Sequence, residues 1–222
     1  MPTYYSNGKL LLTGEYLVLN GALALALPTK FGQFMHVAPL NKQVISWKSY
    51  DADGSCWFET NLTFDAIIEK RHFDEDTIKK TLVEILHYAY KQNPSFLKST
   101  GFEIKTELTF PRNWGLGTSS TVLNNIAQWL QIDAFTLLRE SFGGSGYDIA
   151  CAQNNMSLLY QLVEEQPRVK SIVFHPDFTE NIFFVYLNRK QNSRHAIQNF
   201  INKVCDLGYL SIIACSFIYQ ED

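Results

Sequence analysis

The sequence predicts an α+β fold in which strands come first, helices follow and strands return. Three observations predict it. The first part of the chain is a series of short apolar, β-branched or aromatic runs separated by turn signals. The apolar period then lengthens from two to about 3.6 residues. After residue 156 the short strand-like runs resume. A doubly wound sheet would instead alternate strand and helix along its whole length.

Taken in order, Leu23–Leu27, Phe31–Ala38, Val44–Trp47 and Cys56–Thr60 read as strands. Asp74–Gln92 carries Ile78, Leu82, Ile85, Leu86 and Ala89 at helical spacing, and Pro94 follows its end. Phe102, Ile104, Leu108 and Phe110 mark a strand with one buried face. Val122, Ile126, Ala127 and Leu130 share a face of the next helix, and a shorter helix runs over about 134–142. Ser157–Val163 is the next strand. The expected first domain is 1–167. A second unit, 168–222, would hold strands Ser171–Phe174 and Ile182–Asn188, a helix capped by Asn192 or Ser193 and carrying Ile197, Phe200, Ile201 and Val204, and strand Leu210–Ile218.

Composition narrows the function classes. The 222 residues suffice for a sizeable core. A net charge of −3, with no basic run, offers no field for nucleic acid. No apolar stretch approaches the roughly 20 residues that span a bilayer, so no membrane partner is expected. The N-terminus lacks the marks of a signal peptide. Cys56, Cys151, Cys205 and Cys215 are scattered, as reduced thiols of a cytoplasmic protein would be. The five histidines are equally dispersed and form no metal-ligand pair.

Chemistry concentrates in Pro111-Arg112-Asn113-Trp114-Gly115-Leu116-Gly117-Thr118-Ser119-Ser120. This glycine- and hydroxyl-rich turn joins a strand to a helix N-terminus. Glycine lets the backbone come close to a ligand, and the first helical N–H groups and the positive end of the helix dipole suit a polyphosphate. Read alone, the same turn is also a capped helix after a flexible loop. Two other segments weigh against that. Asn7-Gly8-Lys9 leads into the run Leu10–Leu19, and Gly143-Gly144-Ser145-Gly146-Tyr147-Asp148-Ile149-Ala150 is a second small-residue turn with Asp148 at a helix start.

These three segments, in this order, resemble the GHMP kinases, a superfamily of small-molecule kinases. The string Gly146-Tyr147-Asp148-Ile149-Ala150 is similar to the subgroup called the GYDIA family. The resemblance runs from about residue 5 to about residue 200. It implies a ribosomal protein S5 domain 2-like N-terminal domain and a ferredoxin-like C-terminal domain. The latter would be incomplete here, because the family's third glycine-rich motif has no counterpart: Gly208 is the only glycine after Gly146. Truncation or internal deletion, or divergence, would account for that. Uncovered apolar strands in a shortened unit would favour a homo-oligomer.

The resemblance further implies ATP and Mg²⁺ as cofactors and a small hydroxyl or phosphate acceptor, mevalonate or phosphomevalonate. Pro111, Trp114, Gly115, Leu116, Gly117, Thr118, Ser119 and Ser120 would bind nucleotide, with Ser120 also nearest the metal. Asp148 would be the general base and Lys9 its cationic partner. Glu15, Tyr16, Ser145, Gly146 and Arg194 would meet the acceptor, with Arg189 and Lys190 beside Arg194. Tyr16 follows Glu15 where mevalonate kinases have histidine, which points toward phosphomevalonate. The family's magnesium-binding glutamate falls on Leu137; Glu140 and Asp133 are the nearby carboxylates. The alternative is a catalytically inactive remnant that binds nucleotide or a partner. An RNA-binding module, suggested by the ribosomal-protein kinship, is opposed by the acidic balance.

Overall fold

A computed structural model describes residues 1–73, 77–98, 100–186 and 200. Its centre is a seven-stranded sheet that forks at one long strand. Strand β1 (Thr3–Leu11) pairs antiparallel with β2 (Ala24–Leu40). Ala26 is paired with both Leu11 of β1 and Leu158 of β6 (Leu158–Val163), and Gln33 with both Ser6 of β1 and Leu108 of β5 (Gly101–Leu108). One edge of β2 therefore carries β1, while the other is shared by β5 and β6. Beyond β5 lie β3 (Val44–Tyr50), parallel to it, and β4 (Cys56–Thr63); beyond β6 lies β7 (Gln166–Ser171).

The strand-helix-strand order holds, with four revisions. β1 was not foreseen, because its buried positions are Ser6 and Gly8 rather than apolar residues. Residues 23–27 and 31–38 are not two strands but one, β2. Pro28 sits between the β6 and β5 pairings, where the shared edge has no partner, so its missing N–H is tolerated. The strand expected at Ser171–Phe174 is replaced by β7, which ends at Ser171; residues 172–174 are not strand, and residue 168 lies inside β7, paired with β6. Ile182–Tyr186 is not a strand; residues 187–199 and 201–222, with the rest of the second unit, lie outside the described residues.

Five helices cover the sheet: α1 (Phe64–Ile68), α2 (Thr77–Gln92), α3 (Thr118–Leu130), α4 (Ala134–Ser141) and α5 (Tyr147–Gln153). Their apolar faces meet Met35, Val37, Ile45, Trp47, Leu62 and Ile104 of the strands in one continuous core. Under the N-terminal half of α3 the packing changes character. Ser6, Gln33, Thr121, Asn124 and Asn125 are all buried there. Ser6 Oγ donates to Asn125 Oδ1 and Asn124 Nδ2 to Ser6 Oγ, both at 2.8 Å. Asn125 Nδ2 donates to the Gln33 carbonyl at 2.9 Å and Thr121 Oγ1 to Gln33 Oε1 at 2.8 Å. These bonds fix one register of helix on strand, because any slip breaks several of them at once, although Gln33 Nε2 is buried without a partner.

Candidate active site

The turn at 111–117 is tied down at both ends. Arg112 donates its N–H to Asp51 Oδ1 at 3.1 Å, and a 3₁₀ turn over Arg112–Trp114 closes on the Pro111 carbonyl. At the far end the Lys9 N–H donates to the Leu116 carbonyl at 2.9 Å, while the Leu116 side chain is buried with Leu108 and Phe110. Gly8 permits this approach: a Cβ there would lie 2.9 Å from the Leu116 carbonyl oxygen. β1 has a register irregularity between Asn7 and Lys9 at the same point, which re-aims the lysine.

Gly117 is the N-cap of α3, with φ +93°, and no side chain caps this end. The N–H groups of the first turn are thus left to the site, with the positive end of a 13-residue helix behind them. Ser120 Oγ donates back to the Gly117 carbonyl at 2.8 Å. Ser119 is exposed and Thr118 half-buried. Trp114 flanks the turn with its ring edge-on to Phe31 at 5.6 Å and stacked on Tyr186 at 5.5 Å.

The second glycine turn brings α5 to the same place. Gly146 is its N-cap, so Asp148 is not a capping residue but stands in the first turn. The Lys9 stem crosses Gly117: a Cβ on that glycine would lie 3.0 Å from Lys9 Cγ and 3.5 Å from Cε. The ammonium then donates to Tyr147 Oη at 2.7 Å, 5.0 Å from the ring centroid. Lys9, Gly117, Ser120, Tyr147 and Asp148 are therefore assembled from three separate segments. The expected direct pairing of Lys9 with Asp148 is not present: the two make no ion pair within 4.0 Å, and Tyr147 takes the ammonium instead. Sequence reading gave Tyr147 no role. Its place beside Asp148 in the motif was the only sign, and nothing local tells that its hydroxyl reaches back to residue 9.

Electrostatics follow from the burial. Desolvation raises the Asp148 carboxyl above the usual carboxylate range, against the pull of Lys9 and of the Ile149 N–H, which donates to Oδ1 at 3.1 Å. Burial works against the Lys9 ammonium, but Tyr147, Asp148 and Glu15 together hold its pKa above the ordinary lysine value. Burial also raises Tyr147, and lifts the Cys151 thiol to about 12. At neutral pH the lysine is charged, and the tyrosine and cysteine are neutral.

The remaining expected residues are spread around this cluster. Glu15 is exposed, and its charge is felt at Lys9 and Tyr147. Tyr16 adopts φ 60° and ψ −38°, an unusual backbone for a non-glycine residue, and its ring stacks on Phe200 at 5.1 Å. Ser145 is buried, and its carbonyl accepts from Tyr160 Oη. Arg189, Lys190 and Arg194 lie outside the described residues.

The donor set does not build a resident metal site. Leu137 is fully buried in the core, Asp133 Oδ2 caps α4 by accepting from the Thr136 N–H at 2.7 Å, and Glu140 is exposed. Among the described residues no group of three or more His, Cys, Asp or Glu could hold a metal ion. A magnesium ion here would arrive with the phosphates and waters of its nucleotide. No helix among the described residues is long and apolar enough to cross a membrane.

Comparison with solved structures identifies the fold. The chain superposes on the Methanococcus jannaschii mevalonate kinase with a TM-score of 0.61 at 13% identity, covering 100% of this chain and 73% of that one. For a D-glycero-D-manno-heptose 1-phosphate kinase from Bacteroides thetaiotaomicron the values are 0.57, 18%, 76% and 58%. For the Streptococcus pneumoniae phosphomevalonate kinase in complex with phosphomevalonate and AMPPNP they are 0.52, 20%, 72% and 50%. The mixed α/β architecture is that of the GHMP kinases. The chain spans between half and three-quarters of these kinases' own lengths. No protein-family model matches the chain, and no curated protein matches it in sequence.

Proposed function

We propose that the chain is an ATP-dependent kinase that phosphorylates a small hydroxylated metabolite. The observation that carries this reading is the convergence of a half-buried lysine, a carboxyl group and an uncapped helix N-terminus from three distant segments. Phosphoryl transfer asks for little else beyond positioning and neutralised charge. The turn from Gly115 to Ser120 would hold the nucleotide phosphates on its backbone N–H groups. The acceptor hydroxyl would enter between that turn and α5. Its oxygen bonds to the γ-phosphorus as the bond to the bridging oxygen of ADP breaks, and its proton passes to the Asp148 carboxylate. Lys9 stabilises the charge growing on the attacking oxygen. Mevalonate or phosphomevalonate is the acceptor class the sequence motifs favour, and two of the structural neighbours act in that chemistry.

A catalytically inactive, nucleotide-binding remnant is the second reading. Leu137, buried where the family's metal-binding glutamate would stand, favours it. Coupled ADP release with mevalonate and phosphomevalonate, run beside nucleotide titration by calorimetry, separates the two. Acceptor-dependent turnover supports the kinase; nucleotide binding without turnover on any acceptor supports the remnant.

A further inference from the structure

Lys9 is held at two points. Its stem lies across Gly117, and its head is bonded to Tyr147 Oη at 2.7 Å. Tyr147 and Asp148 are adjacent in the first turn of α5, so their side chains leave the helix about 100° apart. The tyrosine faces the lysine; the carboxylate stands clear of it, beyond 4.0 Å. An ammonium has three donors, and the tyrosine uses one.

We propose that Tyr147 is a positioning residue: its hydroxyl holds the Lys9 ammonium off the Asp148 carboxylate and leaves both groups facing the acceptor oxygen. The assignment rests on the kinase reading above for its purpose, though not for its geometry. Without the hydroxyl, a half-buried lysine within electrostatic reach of a half-buried carboxylate would collapse onto it. A direct ion pair lowers a carboxylate's pKa by about 1–3 units. It would also engage a carboxylate oxygen, and base strength falls with the pKa. The other titratable groups facing this cluster are Glu15 from the loop after β1, Cys151 from the next turn of α5 and Tyr160 from β6. Burial raises the cysteine and Tyr160, so both are uncharged near neutrality, and Glu15 is exposed to solvent. Tyr160 Oη is engaged with the Ser145 carbonyl, and a thiol is a weak acceptor.

The test is Tyr147→Phe in the full chain, which keeps the ring and removes only the oxygen. The Asp148 carboxyl and the Lys9 ammonium are titrated by NMR in protein labelled at aspartate and lysine. The Asp148 midpoint should fall by about one unit or more as Lys9 swings onto it. In a Lys9→Met background the same substitution should leave that midpoint where it was, because the tyrosine acts through the lysine. A merely structural tyrosine would not show this dependence. An unchanged Asp148 midpoint in Tyr147→Phe, or the same shift with and without Lys9, overturns the proposal. The acid limb of the kcat/KM profile should move with the midpoint, while the KM for ATP stays put. Absence of turnover in the wild type with every acceptor overturns the kinase reading instead, and leaves the titration to decide the role of Tyr147.

Discussion

The Lys9 N–H donates to the Leu116 carbonyl at 2.9 Å, so the glycine turn at 111–117 hangs from the strand that carries the lysine. Whatever shifts one shifts the other. Gly117 sits at the junction, where an added Cβ would lie 2.8 Å from Ser120 Oγ and 3.0 Å from Lys9 Cγ. Gly117→Ala should therefore weaken ATP binding roughly tenfold or more, with about 1–2 kcal/mol of left-handed backbone strain added to the fold. Lys98→Ala, at an exposed site, should bind as the wild type does. Calorimetry giving equal affinities for the two variants would remove this turn as the nucleotide site.

Asp148→Asn keeps size and removes the base. Nucleotide binding should survive, and turnover should fall by about 10²–10⁴-fold. Lys9→Met should also depress turnover, and the double variant should lose less than the sum, since both residues serve one proton transfer. Turnover undiminished in Asp148→Asn would assign the base elsewhere.

The same aspartate should limit stability. Folding raises its carboxyl pKa, so the folded state favours the protonated form. That contribution is complete below the unfolded carboxylate's range and is lost as pH rises through the folded value. Above that window the contribution is gone, and desolvation of the carboxyl weighs against the folded state. Asp148→Asn should then melt at a higher temperature than wild type at about pH 7, with the gap shrinking toward about pH 4. Thermal melts showing a gap that widens toward acid would contradict the assignment.

Asn125 joins Ser6 to Gln33 in the polar layer under α3. Asn125→Ala would take the acceptor from the buried Ser6 hydroxyl and a donor from the Gln33 carbonyl, each lost bond costing about 0.5–1.5 kcal/mol. Urea denaturation should show a lower midpoint at constant slope. An unchanged midpoint would mean that water replaces the carboxamide without penalty.

The parts of the molecule that follow a single period were readable in the chain. The spacing of Leu82, Ile85, Leu86 and Ala89 gave α2, and the alternation Ile104, Leu108 gave β5. The two glycine turns were placed at the helix starts they occupy. β1 was hidden because its inward residues, Ser6 and Gly8, answer to carboxamides and a carbonyl rather than to the core. The Lys9–Tyr147 bond was equally hidden, since it joins positions 138 residues apart and carries no local pattern. The motifs told which groups the site contains; only three-dimensional packing told which of them touch.

β2 also sets an order of assembly. It can zip to β1 as soon as a short hairpin has left the ribosome, because its partners there, Thr3 to Leu11, come just before it. Its other edge must wait. Gly101–Leu108 and then Leu158–Tyr160 emerge much later in synthesis. Non-local pairing of this kind is slow and leaves strand edges open to wrong partners in the interval. A nascent chain stalled before residue 158 would leave Ala24–Ala26 of that edge bare, and chaperone capture during translation should peak in that window. Pro28, lying between the two late pairings, breaks the bare edge into shorter lengths and so acts as a guard against mispairing while the chain is being made.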